Sequence, residues 1–149
     1  EQFRTEFNER FGVLSLTLDC ENNKMWEKYA DNHKGICYGF NTELLCGCIM
    51  SGRIIYVDTL PSINFLKDDF IDKSSKNIFF KEQKWSFEKE YRCAHMWETA
   101  VSPKERNIQF SSDCLVEIRL GKAMPQKTKD EIKQIARQKY PNAKIIECC

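Results

Sequence analysis

The chain has 149 residues, with 23 Lys and Arg against 22 Asp and Glu, a net charge of +1. That length buries a sizeable core without disulfides or metal, and 42% apolar with 30% charged residues excludes a disordered chain. Near-zero charge removes the electrostatic case for a nucleic-acid binder. The uncharged run from Leu44 to Met50 is too short to span a bilayer. The polar opening EQFRTEFNER is unlike a signal peptide. These features describe a cytoplasmic, single-domain protein over residues 1–149, with no internal repeat or Pro/Gly-rich linker. The chain starts at Glu1 without Met, which fits a processed product or a fragment.

Taken in order, Phe11 to Leu18 alternates, with Leu14, Leu16 and Leu18 on an apolar face and Val13, Ser15 and Thr17 on the other. Met25, Trp26, Tyr29 and Ala30 recur at helical spacing. This helix is expected to stop in Asp31-Asn32-His33-Lys34-Gly35, where Asn32 or Gly35 can take a left-handed cap. Ile36 to Phe40 and Arg53 to Val57 read as strands, and Ser62 to Lys84 as one or two helices. Trp85 to Cys93 alternates as a strand. Leu115 to Leu120 is a strand and Gly121 to Pro125 a loop. Thr128 and Glu131 form a capping box, with Ile132, Ile135, Ala136 and Tyr140 on one helix face. Ala143 to Cys148 closes the chain as a strand. The sum is an α+β fold, a mixed β-sheet with short helices and a C-terminal β-α-β unit.

Eight cysteines are many for a reducing compartment, but a domain of this size needs no staples. Cys37, Cys46, Cys48 and His33 could supply four zinc ligands. No C-x-x-C pair supports that site, so no metal is assigned and most cysteines are read as buried reduced thiols. G-x-S-x-G, Gly-rich phosphate loops and H-E-x-x-H are all absent from the sequence.

The strongest local signal is Trp85-Ser86-Phe87-Glu88-Lys89-Glu90-Tyr91-Arg92. A strand here puts Glu88, Glu90 and Arg92 on one face, with neighbours about 7 Å apart. The guanidinium would keep at least one carboxylate ionised. Such a carboxylate suits glycosyl transfer, where positive charge develops on a sugar carbon. The alternative is a solvated strand face whose ion pair contributes less than about 1 kcal/mol. Trp26 and Tyr29 offer a flat surface for a ring such as nicotinamide, or serve as core. His33 caps the helix or acts as an acid or base. Ser15 and Thr17 are hydroxyl donors to a cleft, or a wet sheet face. His95 has no assigned role.

The runs FGVLSLT, MWEKYADNHKGICYGF and WSFEKEYR, in that order, resemble the bacterial domain-of-unknown-function 2971 family from about Phe11 to Pro125. The resemblance implies a bacterial, cytoplasmic protein without settled biochemistry, in settings suggestive of phage defence. The sequence is also similar to the ADP-ribosyltransferase fold. Ser15-Leu16-Thr17 would match its S-x-S/T strand, Trp26 or Tyr29 its aromatic helix, and Glu88-Lys89-Glu90 its E-x-E strand. By that resemblance NAD is a substrate; Arg92 is a further candidate binding residue, which a non-catalytic pocket would share with Trp26 and Tyr29. Glu90 holds the ribose 2′-hydroxyl and stabilises the oxocarbenium-like transition state, and Glu88 orients the acceptor. The early strand carrying Arg or His has no counterpart before Phe11, where Arg4 and Arg10 sit in a polar segment. In a fragment that strand would lie upstream. In a complete chain dinucleotide binding would lose its first element. Two functions follow: NAD-using ADP-ribosyl or glycosyl transfer, or a non-catalytic module of a defence system that binds a small ligand or partner protein.

Overall fold

A computed structural model describes residues 1–45 and 50–148. In chain order the elements are α1 (Gln2–Arg10), β1 (Phe11–Thr17), α2 (Asn23–Tyr29), β2 (Ile36–Phe40), β3 (Met50–Arg53), β4 (Ile55–Val57), α3 (Phe70–Phe79), β5 (Phe80–Glu82), a 3-10 turn (Gln83–Glu88), β6 (Glu90–Met96), β7 (Leu115–Leu120), α4 (Gln126–Lys139) and β8 (Lys144–Glu147), with short 3-10 turns at Pro103–Arg106 and Ser112–Cys114. The class is α+β. The chain groups into two units, residues 1–19 with 47–108 and residues 20–46 with 109–149.

In the first unit β6 is the central strand of an antiparallel sheet ordered β1-β6-β3. A parallel pair, β4 with β5, stands beside it in sequence. Register decides what each face carries. Phe11 pairs with Met96 and Val13 with Ala94, while Ser15 pairs with Arg92 and Thr17 with Glu90. Opposed residues share a face, so this face is apolar at one end and polar at the other. Its apolar end is core: Phe11, Ala94 and Ile78 of α3 are buried, with Phe7, Phe70, Phe79, Met50 and Met96 against them. The apolar stripe expected to face the core is instead largely outside, with Leu14 44% and Leu18 50% exposed. Alternation identified the two faces, but Phe11, on the same parity as Ser15, decides which one is inside. The polar opening forms α1, whose Phe7 stacks on Phe11 with ring centroids 4.9 Å apart.

Asp69 starts α3 by accepting the Asp72 N–H at 2.8 Å. One helix therefore occupies part of the Ser62–Lys84 stretch, and β5 follows it without a break. The Arg53–Val57 stretch is divided between the end of β3 and β4.

In the second unit β2 and β8 flank β7, antiparallel and parallel respectively, so β7-α4-β8 is the expected β-α-β unit. Ile118, Leu120 and Leu115 of β7 meet Ala136 and Met124, with Ile132, Tyr140 and Ile145 packed around them. Ile135, placed on this face by periodicity, is exposed. Helix α4 begins at Gln126 after Pro125 and has no side-chain cap, so Thr128 sits inside the helix and the capping box does not form. Asn22 caps α2, accepting the N–H groups of Lys24 and Met25. After α2, Asp31, Asn32 and His33 all adopt left-handed backbone, with φ of 45°, 50° and 67°. Asn32 is thus left-handed as expected and Gly35 is not. Gly35 is needed for space, since a Cβ there would lie 2.9 Å from Ala30 Cα.

Candidate functional site

Five of the seven candidate residues gather at the polar end of the β1–β6 face, but by a different route from the one expected. Trp85 to Glu88 is a 3-10 turn rather than strand, and β6 begins only at Glu90. Between them Lys89 is left-handed, with φ 43° and ψ 52°. Strand spacing alone would separate Glu88 and Glu90 by a full pleat repeat. The reversal at Lys89 turns both carboxylates onto one cation, Lys81 of β5.

Glu88 is 4% and Glu90 7% exposed. Lys81 Nζ donates to Glu88 Oε2 and, at 3.1 Å, to Glu90 Oε2. Arg92 grips Glu90 in a fork, Nε to Oε1 at 2.9 Å and Nη2 to Oε2 at 3.0 Å. Its third nitrogen, Nη1, donates to the Ile78 carbonyl at the end of α3. The cluster holds two negative and two positive groups and is internally neutral, the condition under which charges are tolerated away from water.

Burial pushes the Glu90 carboxyl up. Hydrogen bonds from Arg92, the Ser15 side chain and Lys81 outweigh it and hold Glu90 below the usual carboxylate range. Lys81 shows the mirror case: burial pulls it down, and Glu88 and Glu90 carry it above the ordinary lysine value. Both groups are charged at neutral pH.

The backbone around the carboxylates is fastened as well. The Thr17 hydroxyl donates to the Glu88 carbonyl at 2.8 Å. The Glu90 N–H donates to the Tyr56 hydroxyl at 2.9 Å, and the Ile54 N–H to the Glu90 carbonyl at 2.9 Å. Thr17 thus positions a main chain rather than presenting its hydroxyl to a cleft. Ser15 lies at the exposed rim, on β1. Lys81, Tyr56 and Trp85 are site residues that sequence reasoning did not select. Lys81 Nζ stands 5.3 Å from the centre of the Trp85 ring. Nothing in the spacing of Lys81 points to Glu90. Trp85 was legible only as one aromatic among several.

Trp26 and Tyr29 belong to the second unit. Trp26 is buried, its indole N–H donates to the Cys20 carbonyl at 2.7 Å, and its ring stacks on His33 at 6.1 Å with planes 7° apart. His33 lies within the left-handed turn, its N–H donating to the Trp26 carbonyl at 3.3 Å. This is the capping role. Tyr29 is exposed on α2, with Lys28 Nζ 5.1 Å from its ring centre. His95 packs edge-on against Trp97 at 4.6 Å.

Cys93 and Cys114 are the buried thiols that the sequence reading describes, whereas Cys20, Cys37 and Cys148 are only half-buried. Cys46 and Cys48 of the zinc alternative lie outside the described residues. Among the described residues no three His, Cys, Asp or Glu side chains converge as metal ligands. No helix among them is long and apolar enough to cross a membrane.

No curated protein and no solved structure gives a significant match to the chain. A family model described as "Protein of unknown function (DUF2971)" matches residues 25–93. The match starts at the first residue of MWEKYADNHKGICYGF and ends one residue after WSFEKEYR, so it takes in the α2 turn, Lys81 and the carboxylate pair. It is narrower than the expected span to Pro125, leaving out FGVLSLT and the β-α-β unit. Over residues 25–93 the chain is thus similar to the DUF2971 family.

Proposed function

We propose that the Glu88–Glu90 cluster is the centre of an NAD-using ADP-ribosyl or glycosyl transferase, with Glu90 as the key carboxylate. One observation carries this reading: a buried carboxylate at the start of β6, kept ionised by Arg92, Lys81 and the exposed Ser15 of the neighbouring strand β1. Transfer from NAD breaks the bond between ribose C1′ and the nicotinamide nitrogen, with the electron pair leaving on the ring. Positive charge then develops at C1′. A fixed anion in a low-dielectric setting stabilises that charge more than water does, because it needs no reorganisation. Glu90 supplies the anion and a hydrogen-bond acceptor for the ribose 2′-hydroxyl. Glu88, tied to the same lysine, orients the acceptor. Trp85, beside Lys81, offers a ring face within the same unit.

A second reading has its own support. The Glu90 oxygens already accept from two Arg92 nitrogens, Lys81 and Ser15. A carboxylate so fully used serves equally to pin β6 to α3 and β5, in a module of a defence system that binds a ligand or a partner protein without turnover.

The test is nicotinamide release from NAD by the whole chain, beside Glu90→Gln and Ser15→Ala. Release is expected from the unaltered chain. It should vanish in Glu90→Gln at a temperature where circular dichroism shows that variant folded. Ser15→Ala, at an exposed rim position, is expected to slow release about tenfold and to lower the melting temperature slightly, both the effect of one lost hydrogen bond to a charged group. Absence of release from the folded chain, or release that survives Glu90→Gln, overturns the transferase reading in favour of the binding module.

A further inference from the structure

Residue parity in the sheet of the second unit assembles a group that the sequence scatters. Ile118, Leu120 and Ile145 pack on the core that contains α4 residues Ala136 and Ile132. Arg119 points to the opposite face. Its cross-strand partner on β2 is Cys37 and its partner on β8 is Ile146. Cys148 comes two residues after Ile146, and its N–H donates to the Leu120 carbonyl at 2.9 Å, so the strand alignment persists to it. Cys37, Arg119 and Cys148 therefore share one face. The Arg119 guanidinium is fixed by Glu117 and reaches Glu21 Oε1 at 3.7 Å. That second contact brings the segment leading into α2, with Cys20 next to Glu21, to the same guanidinium. Cys20 and Cys148 both lie near enough to Cys37 to help push its thiol up.

We propose that Cys20 and Cys37 are a redox pair that closes to an intramolecular disulfide when the protein meets a low-molecular-weight disulfide such as oxidised glutathione. The geometry chooses between the two thiols that neighbour Cys37. Cys148 sits two strands away, across β7, so the backbones are separated by about 9.5 Å before any offset along the strands. A disulfide requires Cα atoms within about 7 Å. The ladder holds Cys37 and Cys148 apart. Cys20 is under no such restraint, because it comes from a loop.

Burial is the main reason that the Cys37 thiol is pushed up, with neighbouring Cys20 adding to it. In the proposed sequence Cys20, on the loop, makes the first attack. Its thiolate takes one sulfur of the oxidant, forming a mixed disulfide and releasing one glutathione thiolate. Cys37 then gives up its proton and attacks the Cys20 sulfur, releasing the second glutathione. Two protein thiols are oxidised and one glutathione disulfide is reduced to two thiols. The bond would tie β2 to the segment whose Cys20 carbonyl holds the Trp26 indole.

The test treats the whole folded chain with oxidised glutathione, blocks remaining thiols, and maps the non-reduced digest by mass spectrometry. Expected is a Cys20–Cys37 linked peptide with joint loss of both thiols. Cys37→Ser should stop at a glutathione adduct on Cys20, and Cys20→Ser should abolish the Cys37 linkage. The proposal is overturned if the folded chain yields no such peptide, if Cys37 pairs as readily with another cysteine, or if the same pairing forms equally in urea.

Discussion

At Arg92 one side chain carries three separate attachments, and that concentration makes it sensitive to a conservative change. Two nitrogens form the fork on Glu90, and the third ties the C-terminal end of α3 through Ile78. Lysine keeps the charge but cannot supply a planar fork and a third donor together. Arg92→Lys is expected to cost about 2 kcal/mol in urea unfolding, from the hydrogen bonds lost to charged and buried groups. Glu90→Gln leaves both Arg92 and Lys81 short of a counter-charge. It is expected to cost about 3 kcal/mol, near the lower bound for a broken buried pair, because Lys81 and Arg92 retain 24% and 16% side-chain exposure. If Arg92→Lys unfolds with the wild-type midpoint, the cluster is not holding β6. The residue types of this cluster were legible in the sequence, since Glu88, Glu90, Arg92 and Ser15 stand in alternating segments. Lys81 was not, because its approach depends on α3 ending directly in β5 and on the left-handed backbone at Lys89.

The element that carries most strain is the turn closing α2. Three consecutive non-glycine residues in left-handed backbone cost about 1 kcal/mol or more apiece. Surrounding bonds hold them there. The N–H groups of Asn32, His33, Lys34 and Gly35 donate to Glu27, Trp26, Asp31 and Ala30, and the His33 carbonyl accepts the Ala123 N–H at 3.0 Å. Gly121 completes the arrangement, because a Cβ there would stand 2.0 Å from the His33 carbonyl oxygen, a backbone atom that cannot turn aside. Gly121→Ala is accordingly expected to destabilise by about 3 kcal/mol, the upper range for overpacking, read as an earlier thermal transition. A Gly121→Ala chain that melts with the wild type would show that this contact is loose. From sequence, Asn32 marked the left-handed turn, although α2 ends just before the expected segment, at Tyr29, and Gly35 is not left-handed. The paired requirement at Gly121 was invisible, because the two positions are far apart in the chain.

For the whole molecule, the directions of the ionisation shifts set the pH range of stability. Glu90 is lowered in the fold, so its contribution is present above the unfolded carboxylate value of about 4.3 and is lost as pH falls through the folded value. Glu147, held by Lys133 and Lys129, and Asp68, held by Lys76, are lowered too but are less deeply buried than Glu90 and contribute less. Lys81 is raised, so its contribution is complete below about 10.4 and fades as pH climbs through its folded value. Urea midpoints measured against pH should be level between about pH 5 and pH 8 and fall on both sides, the raised Cys37 thiol beginning the alkaline fall above the unfolded thiol value of about 8.5. Glu90→Gln should flatten part of the acid fall. An acid limb that is the same in that variant would mean Glu90 is not held ionised by the fold.

Local periodicity and composition by themselves determined the α+β class, the strands at Ile36–Phe40 and Leu115–Leu120 and the β-α-β ending, because these depend on residues close in sequence. They also determined that Ser15 and Thr17 share one face of their strand and that Glu90 and Arg92 share one face of theirs, since a strand's alternation is rigid. Tertiary structure alone decided which of those faces is inside, that Lys81 joins the two carboxylates, and that Arg119 meets Cys37 on one side and Glu21 on the other. Such outcomes rest on strand register and on single left-handed residues. Register is a relation between distant segments, and a one-residue difference in it turns every side chain to the other face.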